Sequence, residues 1–166
     1  MQVHIRPLDA GDERDVEASF QINAAAQAHD VPDFPPWSRT DHVGRLRHPW
    51  PGTTSNSWLA VDGGGDPLGL LTVDLPNLDN THLAIVELIV PPEHRRRGVG
   101  KALYSAATDF ARANGRTVLL LSTLAHEPDL RHLNTWNATE NDYMIAINEA
   151  IGFRAIDRWV SWQHEI

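Results

Sequence analysis

Hydrophobic and polar positions along the chain alternate between two periods. Val3 to Leu8 places Val3 and Ile5 on one face of a short strand. A helical stretch then runs through Val16, Phe20, Ile22 and Ala24-Ala25-Ala26, with Asp9 or Asp12 as its cap, and Pro32, Pro35 and Pro36 end it. Asp30 to Ser38 is a proline- and aromatic-rich loop holding Phe34 and Trp37. A second short helix starts near Ser38 or Thr40, covers Val43 and Leu46, and stops at His48-Pro49-Trp50-Pro51-Gly52.

Ser57–Val61 and Leu68–Leu75 read as the two strands of a hairpin closed by Asp62-Gly63-Gly64-Gly65-Asp66-Pro67. After a turn over Pro76–Asn80, His82–Val90 is the most apolar strand in the chain. Its near-continuous apolar run predicts a central strand covered on both faces, ended by Pro91-Pro92. Val99–Ala113 has helical spacing, with Leu103, Ala106, Ala107 and Phe110 on one face and Asn114-Gly115 as its stop. Thr117–Leu124 fits a buried strand or a further helical stretch, since periodicity does not separate these for a short apolar run. Arg131–Trp136 reads as a strand, Thr139–Ala150 as a helix ending at Gly152, and Phe153–Gln163 as closing strands. The order predicts a mixed α/β domain with one central sheet.

Composition narrows the chemistry. The 166 residues suit one domain. With no cysteine, disulfides, cysteine-ligated zinc and a cysteine nucleophile are excluded. No apolar run reaches the roughly 20 residues of a membrane span, and Met1–Arg6 lacks the apolar core of a signal peptide. The expectation is a soluble, cytoplasmic protein. A formal charge of −8, from 22 acidic and 14 basic residues, argues against nucleic acid as a partner. It suits a cationic amine, though acidity also serves solubility alone.

Four cations, Arg95, Arg96, Arg97 and Lys101, nevertheless cluster where the apolar strand runs into a glycine-bearing loop and a helix. Helix N-termini offer unpaired N–H groups and a positive dipole end to phosphate. Gly98 and Gly100 let backbone approach a ligand, and arginines add forked hydrogen bonding. The glycine pair alone is unspecific. It is neither the dinucleotide fingerprint nor a Walker loop, and a surface turn with solvated arginines has the same composition.

In full, Val90-Pro91-Pro92-Glu93-His94-Arg95-Arg96-Arg97-Gly98-Val99-Gly100 resembles the acetyl-CoA motif of the GNAT superfamily. That motif has Val or Ile at a strand end, Pro-Glu, then Arg/Gln-x-x-Gly-x-Gly/Ala. Asn141, before Met144, and Gly152-Phe153 resemble the family's late helix, and residues 134–153 are similar to tandem GNAT proteins of actinobacterial type. The matches span about residues 83–163. The resemblance implies one GNAT-type acyltransferase domain over 1–166, with a mainly antiparallel central sheet flanked by helices. Backbone groups of Leu88, Ile89 and Val90 would run beside the pantetheine arm. N–H groups from Arg95 through Arg96, Arg97, Gly98, Val99 and Gly100 to Lys101 would take the pyrophosphate, and Asn141 would lie near the thiol.

The implied reaction is direct acetyl transfer to a primary amine of a small molecule. A non-catalytic acyl-CoA-binding or sensor module with the same fold is the alternative. Glu87, the only ionisable residue in Leu83–Val90, is the base candidate. Where many members carry a tyrosine acid, four residues before the Gly-Phe glycine, this chain has Asn148, which donates no proton as an acid. Tyr143, five residues away and roughly on another helix face, is the remaining candidate for the acid. The nine histidines show no i, i+4 zinc pair, so no metal is expected. For the acceptor, the family layout points to Phe34, Trp37, Trp50, Trp58, Trp159 and Trp162 as walls, with Asp30, Asp33 and Asp41 to attract an amine. A homodimer is an option common in the family.

Overall fold

The structure, a computed structural model, describes residues 2–126 and 157–165. Strands β1 (His4–Pro7), β2 (Thr53–Val61), β3 (Pro67–Pro76), β4 (Leu83–Ile89), β5 (Val118–His126) and β6 (Asp157–Glu165) follow one another in the sheet in chain order. Helices α1 (Glu13–Asp30) and α2 (Arg39–Arg47) separate β1 from β2, and α3 (Val99–Ala113) separates β4 from β5. Neighbours from β1 to β4 are antiparallel, while β4 and β5 are parallel, from Leu83↔Val118 to Val86↔Leu121. The segment over Thr117–Leu124 is therefore a strand, whose partner is the apolar β4. A parallel pair needs a crossover, and α3 supplies it. The chain forms two compact units, Met1–Ser122 with Ser161–Ile166, and Thr123–Val160. All three helices and β1–β4 lie in the first.

Local chemistry sets the helix ends. The Asp12 carboxylate accepts from the Arg14 N–H at 2.8 Å and caps α1. Its last residue, Asp30, precedes Val31-Pro32, where the pre-proline residue leaves helical space. Ser38 caps α2, and its hydroxyl accepts from the Asp41 N–H. Asn114 ends α3, with Gly115 beyond it at φ 70°.

The sheet has two unlike faces. Leu71, Val73, Leu75, Ala84 and Val86 pack under Val99, Leu103, Ala107 and Ala111 of α3. At Gly69 a β-carbon would lie 2.9 Å from the Ile89 carbonyl and 3.1 Å from Val99 and Leu103 side chains. Glycine there lets the first turn of α3 press onto β3. On the opposite face Leu59, Val61 and Leu70 pack with Ile22 of α1.

That second face changes character along the strands. The register lines up a row Leu59–Leu70–Ile89, then Ser57–Thr72–Glu87, then Ser55–Asp74–Ile85. The first row is apolar and lies under α1. The next two are mainly polar, and successive rows are about 7 Å apart. The prediction that β4 is covered on both faces therefore holds along the α3 side, and on the other face only at Ile89, under α1. Ile85 is 40% exposed and Glu87 is exposed on that other face, because there the sheet floors a cleft.

Candidate active site

The cleft has a volume of about 490 Å³. Ser55, Ser57, Thr72, Asp74 and Glu87 form its floor, α2 one wall, and Trp37 and Trp50 aromatic borders. The Ser57 and Thr72 hydroxyls lie 3.0 Å apart. Glu87 opens into the cleft, yet protein atoms crowd it and strip much of its hydration. That burial pushes its carboxyl pKa up; Arg45 pulls it down and the neighbouring Asp74 pushes it further up. A carboxyl shifted upward in a concave polar site is suited to accept a proton near neutrality.

Trp37 is held by a chain of hydrogen bonds that runs from the cleft border into the buried interior. The Trp37 indole N–H donates to His42 Nδ1 at 3.4 Å. His42 Nε2 and Ser19 Oγ are 2.7 Å apart, and the Ser19 hydroxyl donates to the Val16 carbonyl at 2.9 Å. Indole is a donor only, so Nδ1 must accept, and the neutral ring carries its proton on Nε2, toward Ser19. Burial holds the His42 pKa below the usual histidine range, and the charges of Arg39 and Arg45 push the same way.

On the far side of Glu87, β4 leads into the arginine loop. After Ile89 come Val90 and Pro91, then a single 3-10 turn, Pro92–His94. Arg96 takes φ 60° and Gly98 φ 87°, both left-handed. Gly98 begins α3 with no side-chain cap, so N–H groups of its first turn face outward unpaired among the described residues. Arg96, Arg97 and Lys101 are exposed around them. A β-carbon at Gly100 would come no closer than 3.9 Å to Leu88 and 4.0 Å to Val90. The protein's own packing does not demand glycine there. The loop thus fits a pyrophosphate through backbone donors, a helix dipole and flanking cations.

Arg95 is engaged otherwise. Its backbone N–H donates to the Pro92 carbonyl at 3.2 Å. Its guanidinium donates to both Asp30 oxygens at 2.7 and 2.6 Å, and its Nε to the Val90 carbonyl at 2.8 Å. Arg95 holds the Asp30 carboxyl below the usual range. Asp30, expected to draw an amine, instead ties the end of α1 to the loop. Trp58, expected as an acceptor wall, packs edge-on against Phe110 at 4.7 Å on the α3 side. Phe34 and Asp33 do not line the cleft, whereas Trp37, Trp50 and Asp41 do. Asn141, Tyr143 and Asn148 lie outside the described residues, as do the side chains of Trp159 and Trp162. Sequence reasoning missed Asp74, Thr72, Ser57, Arg45 and the Ser19–His42 pair. Polar residues alternating within apolar strands were the available signal for the floor. Among the described residues, no three His, Asp or Glu side chains group as a metal site, and no helix is long and apolar enough to cross a membrane.

The acetyltransferase (GNAT) family model matches residues 23–147, and the chain belongs to this family of acyltransferase enzymes. Human N-acetyltransferase 8 is 41% identical over 56 residues, 34% of this chain and 25% of that protein. Mycothiol acetyltransferase of Saccharopolyspora erythraea is 29% identical over 106 residues, 63% of this chain and 33% of that protein. The chain thus spans between 25% and 33% of the length of these two relatives. Among solved structures, a tandem GNAT protein from the clavulanic acid biosynthesis pathway superposes with a TM-score of 0.68 at 29% identity, covering 91% of this chain and 43% of that one. A phosphinothricin acetyltransferase from Sinorhizobium meliloti, in complex with acetyl-CoA, shares the fold at TM-score 0.66 and 17% identity, covering 100% of this chain and 89% of that one.

Proposed function

We propose that the protein transfers an acetyl group from acetyl-CoA to a primary amine of a small molecule by direct attack. The observation that carries this reading is the position of Glu87 on the polar floor of the cleft, on the strand that feeds the pyrophosphate-fitting loop; burial that pushes its carboxyl pKa up is consistent with it. Backbone of Leu88, Ile89 and Val90 would hold the pantetheine arm. The first turn of α3, with Arg96, Arg97 and Lys101, would hold the pyrophosphate. Acetyl-CoA supplies the thioester: a C–N bond forms at its carbonyl carbon, the C–S bond breaks, and CoA leaves as a thiolate that takes a proton. Glu87 accepts the proton the amine gives up, directly or through a water, and Thr72 and Asp74 beside it keep that point polar. The mycothiol acetyltransferase and N-acetyltransferase relatives support the class of reaction.

The test is thiol release across a panel of primary amines. Glu87→Gln should lower kcat/KM by about 10²–10⁴-fold and leave the melting shift induced by CoA in place. If no amine releases CoA, the reading fails and a module that only binds acyl-CoA takes its place; if the variant keeps full turnover, Glu87 is not the base. A shift with ATP equal to that with CoA would remove the CoA assignment as well.

A further inference from the structure

The arginines of α2 face two ways. Arg39 and Arg47 turn toward α1: Arg39 donates to Glu13 and Glu17, each at 3.1 Å, and Arg47 to Glu13 at 2.8 Å and the Ala10 carbonyl at 3.0 Å. Arg6 and Arg95 likewise hold Asp15 and Asp30. Arg45 turns instead into the cleft, with its guanidinium carbon 5.8 Å from the centre of the Trp37 ring. Among the described residues no carboxylate comes within ion-pair distance of it, although Asp41, Asp74 and Glu87 line the same cleft.

The cleft is therefore polarised. Its α2 wall presents a forked cation laid on an aromatic platform. Its floor presents Asp74 and Glu87, which the register places as diagonal neighbours with β-carbons about 7–8 Å apart. An arginine held over a tryptophan face by cation–π attraction keeps its fork free for a planar anion. A purely cationic acceptor would satisfy the floor and be repelled by Arg45. A neutral amine would leave the fork facing water. Only a ligand with charges of both signs satisfies both ends. Trp37 and Trp50 at the border favour an apolar body between or beside them.

We infer that the acceptor is an amino-acid-like zwitterion with an apolar or aromatic body, its ammonium over the Asp74–Glu87 floor and its carboxylate on Arg45. This rests on the amine-acetylation reading above and names the class of acceptor that site takes. Asp74 holds the ammonium before Glu87 receives its proton, and Arg45 fixes the other end, so the amine nitrogen is the atom turned toward β4.

Matched pairs test this: phenylalanine against phenethylamine, tryptophan against tryptamine, leucine against isoamylamine, each with acetyl-CoA and thiol-release detection. The acid-bearing member should have the higher kcat/KM in at least one pair. Arg45→Gln should reduce that ratio by about 10- to 100-fold, the loss of a charge-assisted pair. Arg45→Lys, which keeps the charge and loses the fork, should keep part of it. In a second arm, melting shifts with phenylalanine, tryptophan or leucine in the presence of desulfo-CoA should be seen for the wild type and vanish in Arg45→Gln. Turnover only, or equally, with amines lacking a carboxylate overturns the inference, and so does a ratio untouched by Arg45→Gln. If no amine of any kind turns over, acetyl transfer itself fails. The binding arm then decides the zwitterion site: a shift lost in Arg45→Gln sustains it, and no shift in the wild type ends it.

Discussion

His42→Phe removes the centre of the Trp37–His42–Ser19 chain while keeping a ring of similar size in a site only 4% exposed. At pH 7 the variant loses two neutral hydrogen bonds, worth together about 1–3 kcal/mol, and the 3.4 Å bond from Trp37 places the loss toward the lower end. The pH dependence is the sharper test. The folded ring resists protonation because the charge would be buried, beside Arg39 and Arg45, and because a proton on Nδ1 would meet the Trp37 N–H. Its folded pKa is thus depressed, and the unfolded chain binds the extra proton first. The stabilisation is complete above the unfolded pKa of about 6.5. It is lost as pH falls from there to the folded pKa, at up to about 1.4 kcal/mol per pH unit. Urea unfolding of both proteins from pH 8 to pH 5 measures this. The other histidines are common to both chains and largely cancel in the difference. The wild-type advantage should be flat above the unfolded pKa and shrink below it. Parallel stability curves across the whole range would refute the neutral tautomer assigned here.

Asp30→Asn should weaken the bidentate grip on Arg95. The pair is partly exposed, so stability should fall by no more than about 1 kcal/mol, while KM for acetyl-CoA rises several-fold in steady-state kinetics; an unchanged KM would mean the clamp does not position the loop. Gly69→Ala forces a β-carbon to 2.9 Å from a backbone carbonyl, and should destabilise by about 1–3 kcal/mol in chemical denaturation. Gly100→Ala meets nothing closer than 3.9 Å in the protein, and should leave stability equal or raised by about 0.5–1 kcal/mol. Kinetics of Glu87 should show a lower pH limb above the ordinary carboxylate range, because the raised pKa delays formation of the base; a limb in the ordinary range would remove the desolvation argument.

The elements that were legible in the chain are those whose cause is local. Val99 and Ala113 bound a helix in sequence and structure alike, since Gly98 and Asn114-Gly115 act within a turn of it. The loop after β4 was legible for the same reason. Position-dependent roles were not. Asp30 and Arg95 are 65 residues apart, so nothing in either neighbourhood shows that they pair. Asp74 and Thr72 look like ordinary polar positions in β3 until the register sets them beside Glu87. His42 has no motif around it; only the packing of α2 on α1 brings it to Ser19. β4 misled in the opposite sense, because an apolar run does not distinguish a covered face from a substrate floor.

The two helices that border the site are attached by different physics. Leu103, Ala107 and Ala111 of α3 are wholly buried, so the phosphate end rests on apolar packing. The only buried residue of α2 is His42, and Arg39 and Arg47 moor it through ion pairs at the surface. Substitutions at the exposed positions of α2, unlike those at His42, should therefore cost little of the fold. The same mooring makes α2, of the two helices, the one that added salt loosens more, since screening weakens exposed ion pairs.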